Sequence, residues 1–138
     1  MTAPTPPLGL VVVDMQNAFC APEGAIYVRQ AADQLPAVAS AIVHCRSVGI
    51  PVVYTTVVWG QPDDIPRGLR QNTPALVEEW DQPGGLSAGS WGAAIHEAVA
   101  PLPGDHVLPK RGFHPAGLAE LAQRLGLRSV LLTGSVVV

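Results

Sequence analysis

Residues 10–14 read Leu-Val-Val-Val-Asp, an apolar run that ends abruptly at a carboxylate. A continuous run of β-branched side chains is typical of a strand that is buried on both faces, as in parallel sheets covered by helices. A polar loop follows the run. The sequence therefore predicts a first strand within a parallel sheet, with Asp14 directly at its carboxyl end.

A helix and a second strand are predicted next. Apolar positions recur at helical spacing from Asp33 to Val48, Pro36 is tolerated in the first turn, and Gly49 ends the helix. Residues 50–58 are rich in β-branched side chains and predict the second strand. Because a strand, a helix and a strand follow one another, we expect a parallel βαβ unit.

Short elements follow in the rest of the chain. The stretch from Trp59 to Ser90 is rich in proline and glycine and is predicted to be irregular, and loops of that length are usually functional. After it we predict a short helix at Trp91–Ala100 and a third strand at His106–Leu108, which Lys110 closes. A third helix at Pro115–Leu125 and a fourth strand at Ser129–Thr133, followed by Gly134, complete the set of predicted elements. Together these elements predict an α/β fold, a three-layer α/β/α domain with a parallel sheet and Rossmann-like topology.

The composition narrows the class of protein. The 138 residues fit one domain, and 48% hydrophobic against 14% charged residues excludes intrinsic disorder. The net charge is −3 and the eight Lys and Arg residues are scattered, so we expect no nucleic-acid partner. The first nine residues carry no basic segment, and the first apolar stretch is too short for a signal peptide or a membrane span. We therefore expect a cytoplasmic protein without a membrane partner.

Cysteine and histidine spacing excludes several kinds of site. The chain has two cysteines, Cys20 and Cys45, which are too few for a disulfide framework. They also lack the close CxxC spacing of a zinc site. Cys45 falls on the apolar stripe of the predicted helix, where we expect a core thiol. His96 and His106 do not pair at metal-ligand spacing. The first turn carries Asp-Met-Gln-Asn where a dinucleotide site needs Gly-x-Gly-x-x-Gly, which excludes a dinucleotide cradle.

Chemistry is expected where the predicted strands end. In parallel α/β sheets the ligand crevice lies at the carboxyl ends of the strands, which here carry Asp14, Trp59, Lys110 and the Gly134 turn. A lysine on a neighbouring strand would keep a partly desolvated Asp14 ionised, and the pair would form a base with a cationic partner. Position alone leaves open that Asp14 only caps a turn. Gln16 and Asn17 either brace this loop or satisfy turn amides.

The string Val11-Val12-Val13-Asp14-Met15-Gln16-Asn17-Ala18-Phe19 resembles the first signature of the isochorismatase-like hydrolases, which include nicotinamidases, N-carbamoyl amidohydrolases and isochorismatases. The segment Pro103-Gly104-Asp105-His106-Val107-Leu108-Pro109-Lys110 resembles the one that brings in the family's lysine. Leu131-Leu132-Thr133-Gly134 is similar to the strand that leads into the family's nucleophile loop. The resemblance follows the same order along nearly the whole chain.

This resemblance implies a catalytic triad of aspartate, lysine and cysteine, in which Asp14 and Lys110 match the first two members. The cysteine would fall about two residues beyond Val138 in the family's spacing. Backbone amides around Val137 would form the oxyanion hole, with a cis peptide bond between Val136 and Val137. Val137 stands where the family usually has a threonine.

The resemblance also implies a substrate pocket, for which Phe19, Trp59 and His114 are the candidates. The subgroup of the family that binds a metal carries an Asp-x-His pair and a later histidine after the second strand. Residues 59–64 here contain no histidine, and the next one is His96. We therefore expect neither a metal nor another cofactor.

The function expected from these features is metal-independent hydrolysis of the C–N bond of a small amide, carbamoyl or ureido compound. Two alternatives stay open: a vinyl-ether hydrolase of the isochorismatase type that uses Asp14 without a cysteine, and a catalytically silent, oligomeric binding or scaffold protein. We also expect a small-molecule substrate and a homo-oligomer, either dimer or tetramer. Finally, we expect residues 1–138 to be one domain that is incomplete at its C-terminus and lacks the family's last strands and helices, because the sequence stops within an apolar run.

Overall fold

The strands that the structure describes form one four-stranded parallel sheet. The computed structural model describes residues 7–135, except for the side chain of Leu76. The strands lie in the order β3-β2-β1-β4, with bounds of Leu8–Val13 for β1, Val52–Val57 for β2, His106–Lys110 for β3 and Ser129–Gly134 for β4. The predicted α/β class and parallel sheet are confirmed.

Helices connect the strands. In chain order they are α1 (Asn17–Cys20), α2 (Arg29–Asp33), α3 (Leu35–Ser47), α4 (Arg67–Asn72), α5 (Pro74–Glu79) and α6 (Leu118–Leu125), with short 3₁₀ turns at Pro62–Asp64 and Glu97–Val99. In the described chain no helix is long and apolar enough to cross a membrane.

The register of the sheet brings all four carboxyl ends to one edge. Val13 is paired with Thr55 on one side and with Gly134 on the other. Val57 is paired with Lys110. Asp14, which follows Val13, therefore lies at the same edge as Thr55, Lys110 and Gly134.

The core lies on both faces of the sheet, which explains the continuous apolar run at residues 10–13. Leu10 and Val12 pack on the face covered by α3, in a cluster that includes Val38 and Ile42. Val11 belongs to a second, smaller cluster on the opposite face, where α6 contributes Leu118, Leu121 and Leu125. Successive residues of a strand point to opposite faces, so two helical layers are needed to bury them.

The predicted helix Trp91–Ala100 is wrong. Only the 3₁₀ turn at Glu97–Val99 forms, because most backbone hydrogen bonds of the preceding residues go to Met15 and to the start of α1; a single turn bond, from Ala94 to Trp91, stays within the segment. The amides of Asn17 and Ala18 donate to carbonyls in residues 92–94 over 2.8–2.9 Å, and the amide of His96 donates to Met15. Tertiary hydrogen bonds thus replace the helical ones, and they attach this segment to the loop that carries Asp14.

The prediction of an irregular stretch from Trp59 to Ser90 is also wrong in part, since it contains α4 and α5. Pro66 immediately precedes α4 and Pro74 begins α5. Proline is favoured in the first turn of a helix, where its missing N–H costs nothing, so these prolines start helices and do not break them.

Two predicted helix boundaries also shift. The predicted crossover helix Asp33–Val48 forms as α3 (Leu35–Ser47), and the short helix α2, which was not predicted, ends directly before it at Asp33. The last helix begins at Leu118 and not at Pro115, because Gly117 has a φ of 89°, which a right-handed helix cannot contain.

Candidate active site

Asp14 lies directly after β1, in a backbone conformation that few residues adopt. Its φ is 52°, and it is the only residue other than glycine with a positive φ in residues 7–135. Aspartate and asparagine are among the few L-residues that tolerate this left-handed region. The turn rotates the Asp14 side chain toward the ends of the neighbouring strands.

The Asp14 carboxylate is held between β2 and β3. Thr55 Oγ1 donates a hydrogen bond of 2.9 Å to Oδ1. Lys110 Nζ lies 3.1 Å from Oδ2, and both side chains of this ion pair are only 4% exposed. The pair that the sequence predicts is therefore formed, and it is buried.

Burial has the largest effect on the protonation of this carboxyl. It raises the pKa of Asp14 above the ordinary value, while the charge of Lys110 and the hydrogen bonds from Lys110 and Thr55 act in the opposite direction. A carboxylate with a raised pKa is a stronger base than an exposed aspartate. The arrangement can therefore accept a proton from a weakly acidic group such as a thiol and release it later.

Gln16 fastens the loop of Asp14 to the rest of the protein. Its side chain is completely buried. Its Nε2 donates to the carbonyls of Val57 (2.8 Å) and Ala93 (2.9 Å), and its Oε1 accepts from the amide of Val57 (2.8 Å). Asn17 Nδ2 adds a hydrogen bond of 2.9 Å to the carbonyl of Trp91. Both residues thus brace the loop.

Replacing Gln16 by leucine is expected to lower the free energy of unfolding by about 3 kcal/mol, because it leaves three buried backbone groups without partners. Urea unfolding measures the change. Gln82→Leu, at an exposed position, is the matched control and should change stability by no more than about 0.5 kcal/mol. Equal stability of the two variants would contradict a bracing role for Gln16.

Asp14 opens onto a mainly apolar cavity of about 180 Å³. Three aromatic side chains contribute to its wall, those of Phe19, Trp59 and Phe113. Aliphatic residues complete most of the remainder, namely Ile26, Val57, Leu69 and Leu86. The pocket candidates Phe19 and Trp59 therefore lie together with Asp14, at the edge of the sheet where a ligand site is expected.

Trp59 also fixes the segment that follows Lys110. The indole is completely buried, and its Nε1 donates a hydrogen bond of 2.8 Å to the carbonyl of Arg111. The amide of Val58 donates to the carbonyl of Lys110 over 3.0 Å. The Arg111 guanidinium in turn lies 3.5 Å from the Asp64 carboxylate. The segment after β2 is thus tied to the segment after β3 beside the cavity.

His114 lies elsewhere. It lines a separate cavity of about 580 Å³ between α6 and β4, which does not include Asp14. The neighbouring Phe113 lines the Asp14 cavity in its place. The signal that could have identified Phe113 is its position three residues after Lys110. Leu69 lies in α4 and Thr73 directly after it. Because α4 itself was not predicted, neither residue could be predicted to line the cavity.

The end of β4 lies against the end of β1. The amide of Ser135 donates 2.9 Å to the carbonyl of Val13, and Gly134 has a φ of 110°. A Cβ on Gly134 would lie 2.5 Å from that same carbonyl oxygen, so only glycine fits. The predicted oxyanion residue Val137 and the predicted cis bond at residues 136–137 lie outside the described residues.

Gly134→Ala is expected to destabilise the protein by about 3 kcal/mol or more, since it combines an unfavourable φ with a backbone clash. Gly126→Ala is the control, because Gly126 also has a positive φ (69°) but nothing lies within 4 Å of its added Cβ. It should cost about 1 kcal/mol. Thermal unfolding of both variants separates the effect of the clash from that of backbone strain. Equal losses of stability in the two variants would show that the clash at Gly134 costs nothing.

A family model described as the Isochorismatase domain matches residues 9–137. The chain belongs to the isochorismatase family. The resemblance noted in the sequence is thereby confirmed, and Asp14 and Lys110 lie within the matched range.

Curated members of the isochorismatase family include ureidoacrylate amidohydrolases. The enzyme RutB of Methylorubrum extorquens strain AM1 is 32% identical over 143 residues, which cover 91% of this chain and 57% of that protein. The enzyme of the same name from Azorhizobium caulinodans is 28% identical, with coverage of 91% and 62%. The chain therefore spans less than two thirds of the length of these relatives.

Solved structures of the isochorismatase family have the same fold. A cysteine hydrolase from Pseudomonas syringae pv. phaseolicola superposes with a TM-score of 0.81 at 26% identity, covering 99% of this chain and 66% of that one. The N-carbamoylsarcosine amidase of Thermoplasma acidophilum gives a TM-score of 0.71 at 27% identity, covering 92% and 66%.

Neither cysteine of the described chain fits the nucleophile of an isochorismatase-family hydrolase. Cys20 is buried beside Met15, 3.9 Å from its sulfur, and burial raises the pKa of the Cys20 thiol to about 11. A thiol of that pKa is unreactive near neutral pH. Cys45 lies on the buried face of α3 and packs in the core, as predicted. Residues 7–135 contain no cluster of three or more His, Cys, Asp or Glu side chains that could hold a metal ion.

Proposed function

We propose that the protein hydrolyses the C–N bond of a small amide, carbamoyl or ureido compound. The observation that carries the proposal is the buried Asp14–Lys110 ion pair, whose carboxylate opens onto an apolar cavity. The relatives named ureidoacrylate amidohydrolase and N-carbamoylsarcosine amidase act on compounds of this class. The proposed reaction needs no metal, because the lysine supplies the positive charge beside the base.

In the proposed mechanism Asp14 is the general base and later the general acid. The carboxylate takes the proton of the nucleophilic thiol, and the thiolate forms a bond to the carbonyl carbon of the substrate. When the C–N bond breaks, Asp14 returns the proton to the leaving amine. A water molecule then gives its proton to Asp14 and its hydroxide to the carbonyl carbon of the thioester, or of the thiocarbamate formed from a carbamoyl or ureido compound. The C–S bond breaks, the acid is released, and Asp14 returns the proton to the thiolate, so that thiol and carboxylate are restored. Lys110 stays charged throughout and stabilises the ionised carboxylate.

The nucleophile in this proposal is the cysteine that the family resemblance implies after Val138. Its position is supported by the path of β4, because the Ser135 amide already bonds to Val13, the residue before Asp14. A chain continuing from this point begins beside the backbone of β1, one residue before Asp14.

The proposal is tested by measuring ammonia release from a panel of primary amides, N-carbamoyl compounds and substituted ureas with the full-length protein. We expect release from at least one compound, and little or none with the Asp14→Asn variant. If no compound releases ammonia, or if the variant is as active as the wild type, the proposed function is wrong.

A further inference from the structure

The cavity beside Asp14 has one charged end and a wall of hydrocarbon. The charged end is the Asp14 carboxylate, which is paired with Lys110 at 3.1 Å; the lysine is only 4% exposed and does not itself line the cavity. Among the described residues the rest of the lining is apolar apart from Thr73 and the backbone of Gly112. A substrate that places its amide at Asp14 must therefore place its substituent against apolar side chains.

The basic side chains next in sequence to the lining are engaged by other groups. Arg70 follows Leu69, and its Nε donates 3.0 Å to the carbonyl of Ile65. Arg111 precedes Gly112, lies 3.5 Å from the Asp64 carboxylate, and is 73% exposed to solvent. A carboxylate on the substrate would lose its hydration against hydrocarbon, at large cost, and would also lie near the Asp14 carboxylate.

Phe113 differs from the other aromatic residues of the wall. Phe19 and Trp59 are buried, whereas Phe113 lines the cavity and is still 62% exposed. The carbonyl of Arg111, two residues before Phe113, accepts a hydrogen bond from the Trp59 indole, so the ring extends from an anchored segment. An exposed aromatic ring at a cavity gains free energy when an apolar group covers it.

We propose that the substrate is a neutral amide or urea with an apolar substituent, and that Phe113 is the residue that recognises this substituent. The inference rests on the proposed function and narrows it. It distinguishes this protein from an enzyme for a carboxylate-bearing ureido compound, the class to which ureidoacrylate belongs.

The test compares compounds of matched shape and different charge. The urea pair is 3-methylbutylurea and 3-ureidopropanoate, and the amide pair is 4-methylpentanamide and succinamate. In each pair the first compound carries an isopropyl group where the second carries a carboxylate. With the full-length protein we expect kcat/KM to be about 100-fold higher for the neutral member of whichever pair is hydrolysed. Equal or better hydrolysis of the charged member would overturn this inference and leave the proposed function standing. Absence of hydrolysis with all four compounds and with methylurea and acetamide would contradict the proposed function itself.

The role of Phe113 is tested in the same assay. Phe113→Ala is expected to raise KM for the neutral, branched compound about 10-fold and to leave kcat nearly unchanged. Phe113→Leu keeps an apolar surface and should restore most of the affinity. Hydrolysis of methylurea or acetamide, whose alkyl groups offer the ring little apolar surface, should fall much less than hydrolysis of the branched compound in Phe113→Ala. A loss that is equal for short and branched compounds would contradict recognition by Phe113, and thermal unfolding checks that the exposed substitution leaves the fold intact.

Discussion

Asp14→Asn is expected to lower kcat/KM for amide hydrolysis by about 10²- to 10⁴-fold, the usual contribution of a general acid–base group. Asparagine cannot take up the proton of a thiol, so the nucleophile stays neutral and the leaving amine is not protonated. The change is measured as the initial rate of ammonia release at saturating and subsaturating substrate concentrations.

Asparagine suits the local backbone, so the substitution removes the base without adding backbone strain. It also leaves the buried Lys110 without its counter-ion, so thermal unfolding is measured beside activity to show that the variant is folded. Asp14 has a φ of 52°, and asparagine tolerates this region as well as aspartate does. The asparagine carbonyl can still accept the hydrogen bond from Thr55 Oγ1. Asp14→Ala serves as a comparison, because it removes the same base but adds backbone strain and should unfold at a lower temperature. Full activity of a folded Asp14→Asn variant would exclude Asp14 as the base.

The Asp14–Lys110 pair could be predicted from the sequence because it depends on strand ends alone. The continuous apolar run at residues 10–13 identifies a strand that needs cover on both faces, and a parallel sheet aligns the ends of such strands. The register then pairs Val57 with Lys110 and Val13 with Thr55, which closes the distance between lysine and aspartate to 3.1 Å. Periodicity is enough to predict that the two residues lie at one edge of the sheet, whereas the expected role of Asp14 as a base depends on the family resemblance as well.

The wall of the cavity could not be predicted in the same way, because it depends on contacts between distant segments. Residues 91–96 have a sequence compatible with a helix but bond to the loop of Asp14, which no local pattern reveals. Similarly, Phe113 and His114 are adjacent and both follow Lys110. Phe113 lines the cavity and His114 does not, and the nearby contact that holds this segment joins Arg111 to the Trp59 indole over 52 positions of sequence.

Lys110→Met is expected to lower the free energy of unfolding by about 3–5 kcal/mol near neutral pH, because it leaves the buried Asp14 carboxylate without its cation. Since Lys110 lowers the pKa of Asp14, its loss raises that pKa further. An acidic group whose pKa is raised on folding destabilises the folded state increasingly as pH rises from its unfolded value, about 3.9, to its folded value. The stability deficit of the variant should therefore be small in acid and grow toward neutral pH. The higher pKa of Asp14 should also move the acid limb of the pH profile of kcat/KM to higher pH, which is measured on the residual activity of the variant.

Urea unfolding at about pH 3.5 and about pH 7.5 measures this deficit and its direction. The matched control is the double variant Asp14→Asn/Lys110→Met, which removes both charges and should recover most of the stability lost in Lys110→Met, with little dependence on pH. Recovery is expected because an unpaired buried charge costs more than the absence of the whole pair. If the double variant is as unstable as the single one, the loss comes from packing of the lysine stem, and the electrostatic role assigned to Lys110 is wrong. If it is restored, the charge on Lys110 is what keeps Asp14 ionised within an otherwise apolar site.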